Sequence, residues 1–419
     1  MATGVTCGNG ARSGSGGRGR RSRVAAPRGV PSTIVRKTLF AVFAVFAVSA
    51  AGCSSGGDAE SAPPSTPSDT PGAAAAVTTQ AQQDCATEYL ERFTPREKLA
   101  QLLTVGVTGA EDAAAIVRAE QVGGIFVGGW TDRSLLESGG ITGVEQEAKA
   151  PLMVTIDEEG GRVSRVGDVI GVAPSARVTA QTMTPDQFYD ATLARGRALR
   201  ELGVTVDFAP DIDVSAQPDD TVIGDRSFSD DPAVVVQYAD AFIRAMREAG
   251  VGTVMKHFPG HGSASGDSHT GTVRTPPLDQ LQAVDLAPFR ELIDSGAGVM
   301  VGHLDVPGLT TPDVPASISP EAMALLRDGS GYGAAPFDGP IFTDDLGGMA
   351  AITTRLSIAD AVEAALVAGA DNALWITTDA VPQVLDQLEQ AVASNRLPMA
   401  QVDASVLRMA TFKGAVPQC

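Results

Sequence analysis

The segment "GTVMKHFPGHGSASGDSH", residues 252–269, starts as a short apolar run and continues as a polar loop that contains glycine. It holds three of the chain's four histidines, and Lys256 and His257 lie where the apolar run ends. Short apolar runs bounded by turn residues are typical of buried strands in parallel sheets. The segment therefore predicts a strand whose following loop carries reactive groups.

The same pattern recurs along the chain, with helical segments between several of the runs. Thr94, Pro95 and Glu97, for example, have the spacing of a capping box with proline in the first turn. The candidate strands are Gln101–Val107, Val122–Gly129, Leu152–Asp157, Val204–Pro210, Gly252–His257, Gly298–Leu304, Pro340–Asp344 and Ala373–Thr377.

Eight strands that alternate with helices over residues 85–419 predict a single α/β domain with the architecture of a (β/α)8 barrel. An open doubly wound sheet is the main alternative. It is disfavoured because no GxGxxG or P-loop segment follows the first candidate strand.

Five of the candidate strands end in polar residues at a corresponding position. These strand ends read "TIDEEGGR" (155–162), "VDFAPDIDV" (206–214), "KHFPGHG" (256–262), "VGHLDV" (301–306) and "IFTDDLGG" (341–348). Catalytic groups of (β/α)8 barrels come from the C-terminal strand ends and the loops that follow them. One charged residue there is ordinarily a solvated cap, whereas five in register indicate a functional site.

The first 52 residues have the composition of a secretory signal peptide. They contain eight basic residues and no acidic one, and the basic part leads into an apolar stretch from Leu39 to Ala51. That stretch is shorter than the roughly 20 residues that cross a bilayer, which disfavours a transmembrane helix. The ending "SAAGC" resembles a bacterial lipobox and makes Cys53 a lipidation candidate.

Residues 53–84 are rich in Ser, Pro and Ala and lack bulky apolar side chains, so they predict a disordered tether. We therefore expect an extracytoplasmic protein of the cell envelope that is anchored to a membrane through an N-terminal lipid.

Charge and cysteine content agree with export. Without residues 1–52, 23 of the 31 basic residues remain against 50 acidic ones, which gives a net charge of −27. Such an acidic chain repels phosphate backbones, so nucleic acid is not expected as a partner. Cys85 and Cys419 lie at the two ends of the predicted domain, and an oxidising compartment predicts a disulfide between them. Two unpaired thiols are the alternative.

Two strand-end loops carry groups suited to acid–base and nucleophilic chemistry. Asp267 lies two residues before His269, so its carboxylate can hold one ring nitrogen and leave the other for proton transfer. Asp344 and Asp345 are adjacent, so only one is expected to face the barrel mouth. A carboxylate that faces a proton donor across a pocket is the arrangement that cleaves glycosidic bonds.

The histidines also raise the question of a metal site. His257 and His261 are four residues apart, but Pro259 and Gly260 prevent the helix on which such a pair would chelate zinc. No third histidine lies at a known ligand spacing, so we predict neither a metal nor another cofactor. A structural role, in which each ring bonds a backbone carbonyl beneath the loop, is the alternative for both histidines, and we favour it for His261.

Four segments together resemble glycoside hydrolase family 3. They are "DEEGGRVSR" (157–165), "IGDRSF" (223–228), "KHFPGHGSASGDSH" (256–269) and "FTDDL" (342–346). The resemblance covers essentially residues 85–419 and is greatest to the single-domain β-N-acetylglucosaminidases of the NagZ type. It implies a retaining exo-β-N-acetylglucosaminidase that acts on saccharides derived from peptidoglycan.

The resemblance also implies roles for individual residues. Asp344 matches the nucleophile that forms a glycosyl-enzyme intermediate. His269 matches the acid/base of this branch of the family, and Asp267 matches its carboxylate partner. The residues that match those binding the terminal N-acetylglucosamine are Asp157, Arg165, Arg226, Lys256 and His257.

Two other functions remain open from the sequence. A glycoside phosphorylase is the first, because a histidine acid/base tolerates phosphate as the acceptor better than a carboxylate would. The second is a non-catalytic, membrane-tethered sugar-binding protein, which would keep the binding residues and lose the reactive ones. Because Asp344, Asp267 and His269 are all present, this second alternative is disfavoured.

Overall fold

The computed structural model of the protein describes residues 84–137 and 139–415. Its main sheet has eight strands, which are β1 Leu103–Gly106, β2 Gly124–Val127, β3 Met153–Ile156, β4 Val206–Asp207, β5 Gly252–Phe258, β6 Gly298–Val301, β7 Ile341–Thr343 and β8 Ala373–Trp375. Every predicted strand is present, most of them shorter than the apolar run that predicted it.

The sheet is parallel throughout and nearly closed. Its strand order is β8-β1-β2-β3-β4-β5-β6-β7, and all neighbouring pairs are parallel. A parallel bridge between Phe342 and Asn372 joins β7 to the start of β8. The predicted (β/α)8 barrel is confirmed. The doubly wound alternative is wrong, because the strand order of such a sheet reverses midway.

Residues 84–91 are helical, and further helices lie before, between and after the strands. They are Pro95–Ala100, Ala110–Glu120, Gly140–Glu145, Gly167–Ile170, Ala176–Thr182, Pro185–Glu201, Pro232–Glu248, Leu278–Leu281, Leu286–Leu292, Pro320–Asp328, Ala350–Thr353, Ile358–Ala368, Val381–Ala393 and Met399–Phe412. The predicted capping box is present at the first of them, where the Thr94 side chain accepts from the Glu97 N–H and Glu97 accepts from the Thr94 N–H. Two short strands outside the barrel, Val273–Arg274 and Leu304–Asp305, pair in parallel beside the loop that follows β5.

Three aromatic rings show where the barrel interior lies. The ring of Phe126 on β2 stacks on that of Phe208, directly after β4, with centroids 6.0 Å apart, and Phe208 meets Phe342 of β7 at 5.5 Å. These strands are not neighbours in the sheet, so the rings meet through the lumen. The lumen is therefore filled with side chains, and the mouth above it at the C-terminal strand ends is the place for a site.

Several predictions fall outside the described residues. The signal peptide, Cys53, the tether up to residue 83 and Cys419 all lie there. Cys85 is disulfide-bonded, and because the other three cysteines lie outside the described residues, its pairing with Cys419 stays a prediction. Within the described part of the chain, no helix has both the length and the apolar character needed to cross a membrane.

Candidate active site

A buried network of opposite charges lies at the C-terminal ends of β3 and β5. Lys256 Nζ donates to Asp157 Oδ1 at 2.8 Å and lies 2.6 Å from Glu159 Oε1. Arg226, between β4 and β5, donates two hydrogen bonds of 2.8 Å to the two carboxylate oxygens of Glu159. Paired charges with this geometry can stay ionised away from water. The network thus fixes a lysine, an arginine and the carboxylate of Asp157 at the mouth.

Burial opposes ionisation in this network, but the neighbouring charges outweigh burial. Although burial favours its neutral form, the charges of Arg226 and Lys256 hold the pKa of Glu159 below its ordinary value. Burial would likewise lower the pKa of Lys256, yet Asp157 and Glu159 raise it above its ordinary value. Both cations therefore remain charged and can donate hydrogen bonds to a polar ligand.

Lys256 and His257 both point into the site, although adjacent side chains of a regular strand point to opposite faces. The pairing of β5 with β6 shifts register between Lys256 and Phe258. Such a bulge places an extra residue in one strand and re-aims its side chain. The irregularity explains how two consecutive residues serve one site.

His257 is held in one tautomer by two neighbours. Its Nδ1 lies 2.7 Å from Asp213 Oδ2, and its Nε2 lies 3.4 Å from Arg226 Nη2. Burial and the charge of Arg226 lower the pKa of His257 to about 4. The ring is therefore neutral near pH 7, with Nδ1–H donating to Asp213 and Nε2 accepting from Arg226.

The adjacent carboxylates after β7 lie in different surroundings. Asp344 is buried, and its Oδ1 accepts from the N–H of Asp345 at 2.9 Å. Burial opposes its ionisation, but the His257 and His303 rings, that N–H and Lys256 together lower the pKa of Asp344. Asp345 instead bonds the N–H of Gly347 at 2.8 Å, and burial raises its pKa to about 6. At neutral pH, Asp344 thus presents an anionic carboxylate to the lysine and histidine of β5.

Asp267 and His269 form a hydrogen-bonded pair on the loop after β5. Asp267 Oδ1 lies 2.8 Å from His269 Nδ1 and accepts from the His269 N–H at 2.9 Å. The His269 side chain is 61% exposed. The carbonyl of Ser268 accepts from the N–H of Ala351, which joins the loop tip to the segment after β7. The pair is therefore at the rim of the mouth and leans toward the strand that carries Asp344.

Of the predicted sugar-binding residues, Arg165 is the least firmly held. Its Nη2 lies 3.5 Å from Asp157 Oδ2, and its buried Nε has no hydrogen-bond partner among the described residues. The backbone of this loop is fixed by Glu158, which accepts from the N–H groups of Arg165 and Val166 at 2.7 and 3.0 Å and is paired with Arg195.

The interpretation of His261 as a ring that bonds a backbone carbonyl is wrong. Both its ring nitrogens are buried without a hydrogen-bond partner in the described structure. Its backbone N–H donates instead to Asp213 Oδ1, and its ring contacts that of His257 with centroids 5.7 Å apart. The residue satisfies Asp213 through its main chain, which ring-based reasoning did not anticipate.

A metal ion is a poor fit to the one acidic cluster near these histidines. Asp211, Asp213 and His257 place ligand atoms within 4.8 Å of one another. The guanidinium of Arg226 lies 3.4 Å from both Asp211 and His257, however, and supplies the positive charge that this cluster needs. A second cation there would meet repulsion.

Three residues that hold the side chains and loops of the site in place were not predicted from the sequence. Glu159 and Asp213 pair with predicted binding residues, and His303 bonds Ser317 Oγ at 2.7 Å and the carbonyl of Asp345 at 2.8 Å. The signals were the acidic clusters "DEE" and "DID" and the histidine of "VGHLDV". From the sequence, each of these segments is a polar strand end whose partners are not indicated.

Comparison with known proteins gives this site a context. Residues 94–412 match the glycosyl hydrolase family 3 N-terminal domain. The chain is 56% identical over 329 residues to beta-hexosaminidase LpqI of Mycobacterium tuberculosis. The aligned region covers 78% of this chain and 84% of that protein.

Solved structures of family 3 enzymes are also similar to this chain. The chain resembles a family 3 glycosyl hydrolase of Mycobacterium smegmatis with a TM-score of 0.76 and 57% identity, over 78% of this chain and 98% of that one. A family 3 β-N-acetylglucosaminidase from a Paenibacillus strain matches with a TM-score of 0.71 and 31% identity, over 77% of this chain and 62% of that one.

Proposed function

The chain belongs to glycosyl hydrolase family 3, and on that premise we propose that it is a retaining exo-β-N-acetylglucosaminidase. Its substrates would be saccharides with a terminal β-linked N-acetylglucosamine, in particular fragments of peptidoglycan. The names of its relatives support the sugar, since they include beta-hexosaminidases and a β-N-acetylglucosaminidase.

One observation carries the mechanism: an ionised carboxylate is buried at the mouth, and an exposed carboxylate-bound histidine lies on a separate loop. Asp344 attacks the anomeric carbon, and the bond from that carbon to the leaving oxygen breaks. His269 gives its proton to that oxygen. Water then attacks the anomeric carbon and releases Asp344, and its proton passes to His269.

The surroundings of the two groups suit these roles. Although burial favours its neutral form, the N–H of Asp345 and the charge of Lys256 help to keep Asp344 anionic, so it is ready to attack without first losing a proton. A protonated imidazole delivers a proton without placing a second negative charge beside the nucleophile, and Asp267 both orients the ring and stabilises its cation.

The buried charged network is the part of the site that binds the terminal sugar. Lys256 and Arg226 are charged donors, Asp157 is an acceptor, and all three are fixed before the substrate arrives. Rigid charged groups that hydrogen-bond the hydroxyls of a sugar discriminate against analogues that lack those hydroxyls. With them we assign Arg165 and His257 to the terminal sugar, since both contact this network.

The proposal is tested with an aryl β-N-acetylglucosaminide and the matching β-glucoside. We expect hydrolysis of the first at least about 100-fold faster in kcat/KM, with the β-anomer as the first product seen by NMR. An α-anomer as first product would contradict a retaining mechanism. Equal rates on both glycosides would contradict the sugar assignment.

Phosphorolysis is the second candidate, because the acid/base at the rim is a histidine and not a carboxylate that would repel phosphate. Sugar release measured with and without inorganic phosphate separates the two reactions, since a phosphorylase yields a sugar 1-phosphate. A protein that only binds sugars would release nothing in either assay.

Export and lipid anchoring remain part of the proposal and rest on residues 1–53. Wild-type protein expressed in a bacterial host should incorporate labelled palmitate, and Cys53→Ala should incorporate none. Equal incorporation into both proteins would contradict lipidation at Cys53.

A further inference from the structure

Trp130 follows β2 at the same opening as the buried charged network. Val127 of β2 pairs with Ile156 of β3, so the residues just beyond them, Gly128 and Asp157, lie at the same level of the barrel. The indole contacts the ring of Phe126, with centroids 6.0 Å apart. Because Phe126 lies in the lumen, Trp130 lies above it at the mouth.

One face of the indole is covered by glycine and the rest is open. A Cβ on Gly128 would lie 2.4, 2.5 and 2.5 Å from three consecutive atoms of the six-membered ring. Nearly equal distances to three consecutive ring atoms place that point over the ring face. The indole therefore lies flat on the Gly128 backbone, and since 49% of Trp130 is exposed, its open surface faces away from that glycine.

The turn that presents the indole is fixed. Thr131 Oγ1 donates to the carbonyl of Val107 at 2.7 Å and accepts from the N–H of Gly128 at 3.0 Å. The N–H of Thr131 donates back to the carbonyl of Gly128. The aromatic surface is therefore in place before any ligand binds.

An open, fixed indole at the same barrel mouth as charged donors matches the two-sided chemistry of a sugar. A pyranose presents hydroxyls around its rim and C–H groups on its faces, and sugar sites combine a few placed polar groups with apolar surface. Single exposed apolar residues are common on protein surfaces. Trp130 differs because it is the one aromatic among the exposed large hydrophobic residues of the described chain and lies at the functional mouth.

We propose that the indole of Trp130 is the apolar wall on which the C–H face of the terminal N-acetylhexosamine packs. The inference rests on the proposed function and adds a binding residue that the charged segments of the sequence did not indicate. Trp130 contacts the terminal sugar and not the leaving group, so its contribution is the same for every leaving group.

The chain offers an internal control for the test, because its only other tryptophan, Trp375, is 1% exposed. Acrylamide quenching of tryptophan emission in the full-length protein therefore reports Trp130. We expect N-acetylglucosamine to protect the emission from quenching, with a midpoint equal to its inhibition constant in the hydrolysis assay. Trp130→Phe should leave only the emission of Trp375, which acrylamide quenches little and which N-acetylglucosamine does not change.

Kinetics supply the second readout. Trp130→Ala should raise KM about tenfold for an aryl glycoside and for a disaccharide alike, with kcat changed less than about threefold, and Trp130→Phe should restore most of the loss. Gly128→Ala should raise KM in the same way, because its Cβ displaces the ring without removing it. Val172→Ala, at an exposed position on the next loop, is the matched control.

The outcomes are distinct. Hydrolysis that N-acetylglucosamine inhibits without protecting Trp130 from acrylamide overturns this inference and leaves the proposed function intact. An unchanged KM in Trp130→Ala overturns it as well. Absence of any glycoside hydrolysis by the wild-type protein overturns both.

Discussion

The two halves of the site differ in how they are built. The network of Asp157, Glu159, Arg226 and Lys256 is buried, and each of its charges is paired with an opposite one. The Asp267–His269 pair lies on an exposed loop and is connected mainly through backbone hydrogen bonds. The side chains of the first half are held by their own ion pairs, whereas the His269 side chain of the second is largely exposed to solvent.

The two halves suit different steps of the reaction. Binding and nucleophilic attack need fixed charges in a dry place, because electrostatic interactions are strongest there and need no reorganisation. Proton delivery must follow a leaving group of variable size and then serve a water molecule, and a loop can do both. Variants in each half should therefore have different effects on binding, stability and proton transfer.

Asp344→Asn should abolish turnover on every substrate, because the amide cannot form the glycosyl ester. We expect kcat to fall by at least about 10⁴-fold with an unchanged melting temperature, measured on the aryl glycoside and by thermal denaturation. Asp345→Asn is the matched control and should lose less than about tenfold, since its carboxylate bonds the Gly347 N–H. Equal losses in the two variants would contradict the assignment.

Lys256→Met should damage both binding and stability, because Asp157 and Glu159 lose the buried ammonium group that they share. The expected cost is about 3 kcal/mol in the free energy of unfolding, measured by urea denaturation, together with a large fall in kcat/KM. Lys98→Met is the control, since Lys98 pairs with Asp403 at 2.8 Å on the helical exterior and should cost under about 1 kcal/mol. A similar loss in the free energy of unfolding for Lys256→Met and Lys98→Met would contradict a preformed buried network.

His269→Ala should change catalysis without changing stability, because the side chain is largely exposed. Loss of the proton donor should lower kcat/KM, which reports formation of the glycosyl-enzyme, about 10²- to 10⁴-fold on a disaccharide, and far less on an aryl glycoside whose leaving group needs no proton. Asp267→Asn should follow the same order with a smaller loss. Equal losses on the two substrates would exclude His269 as the acid.

The pH dependence of stability tests where the loop is anchored. Asp285 accepts from the Ser263 N–H and hydroxyl at 3.1 and 2.8 Å, and burial raises its pKa from 3.8 to about 6. The folded state binds this proton more tightly than the unfolded chain. Protonated Asp285 therefore adds about 3 kcal/mol to the free energy of unfolding below pH 3.8, and this stabilisation is lost as the pH rises through about 6.

Asp285→Asn removes this titration. As the pH rises from 4 to 7, the melting temperature of the variant should therefore increase by roughly 5 °C relative to that of the wild type. Comparison of the two proteins at each pH cancels the other titrating groups. A difference that stays constant with pH would contradict the raised pKa.

The sequence predicted the barrel because strand number and alternation are local properties that survive in the apolar runs. It also indicated Lys256, Arg226 and Asp344, since each belongs to a distinctive segment. It could not indicate that Asp213 holds His257, or that Glu159 joins Arg226 to Lys256. Those pairs connect different strands, and only closure of the barrel brings them together.

His261 and Trp130 show two further limits. The bond from His261 to Asp213 is made by its backbone, which a side-chain argument does not consider. Trp130 carries no charge, and its place above the lumen follows from ring contacts across the barrel. Both depend on packing between distant residues rather than on any local pattern.

The central claim, that Asp344 attacks the sugar while His269 handles protons, is tested most directly by trapping the intermediate. His269→Ala should form the glycosyl-enzyme quickly from an activated aryl β-N-acetylglucosaminide and hydrolyse it slowly, because the base that activates water is gone. Mass spectrometry of the quenched and digested protein should then find one N-acetylhexosamine residue on the peptide that contains Asp344. The same sugar on a different residue, or no adduct while aryl release shows a burst, would contradict the account.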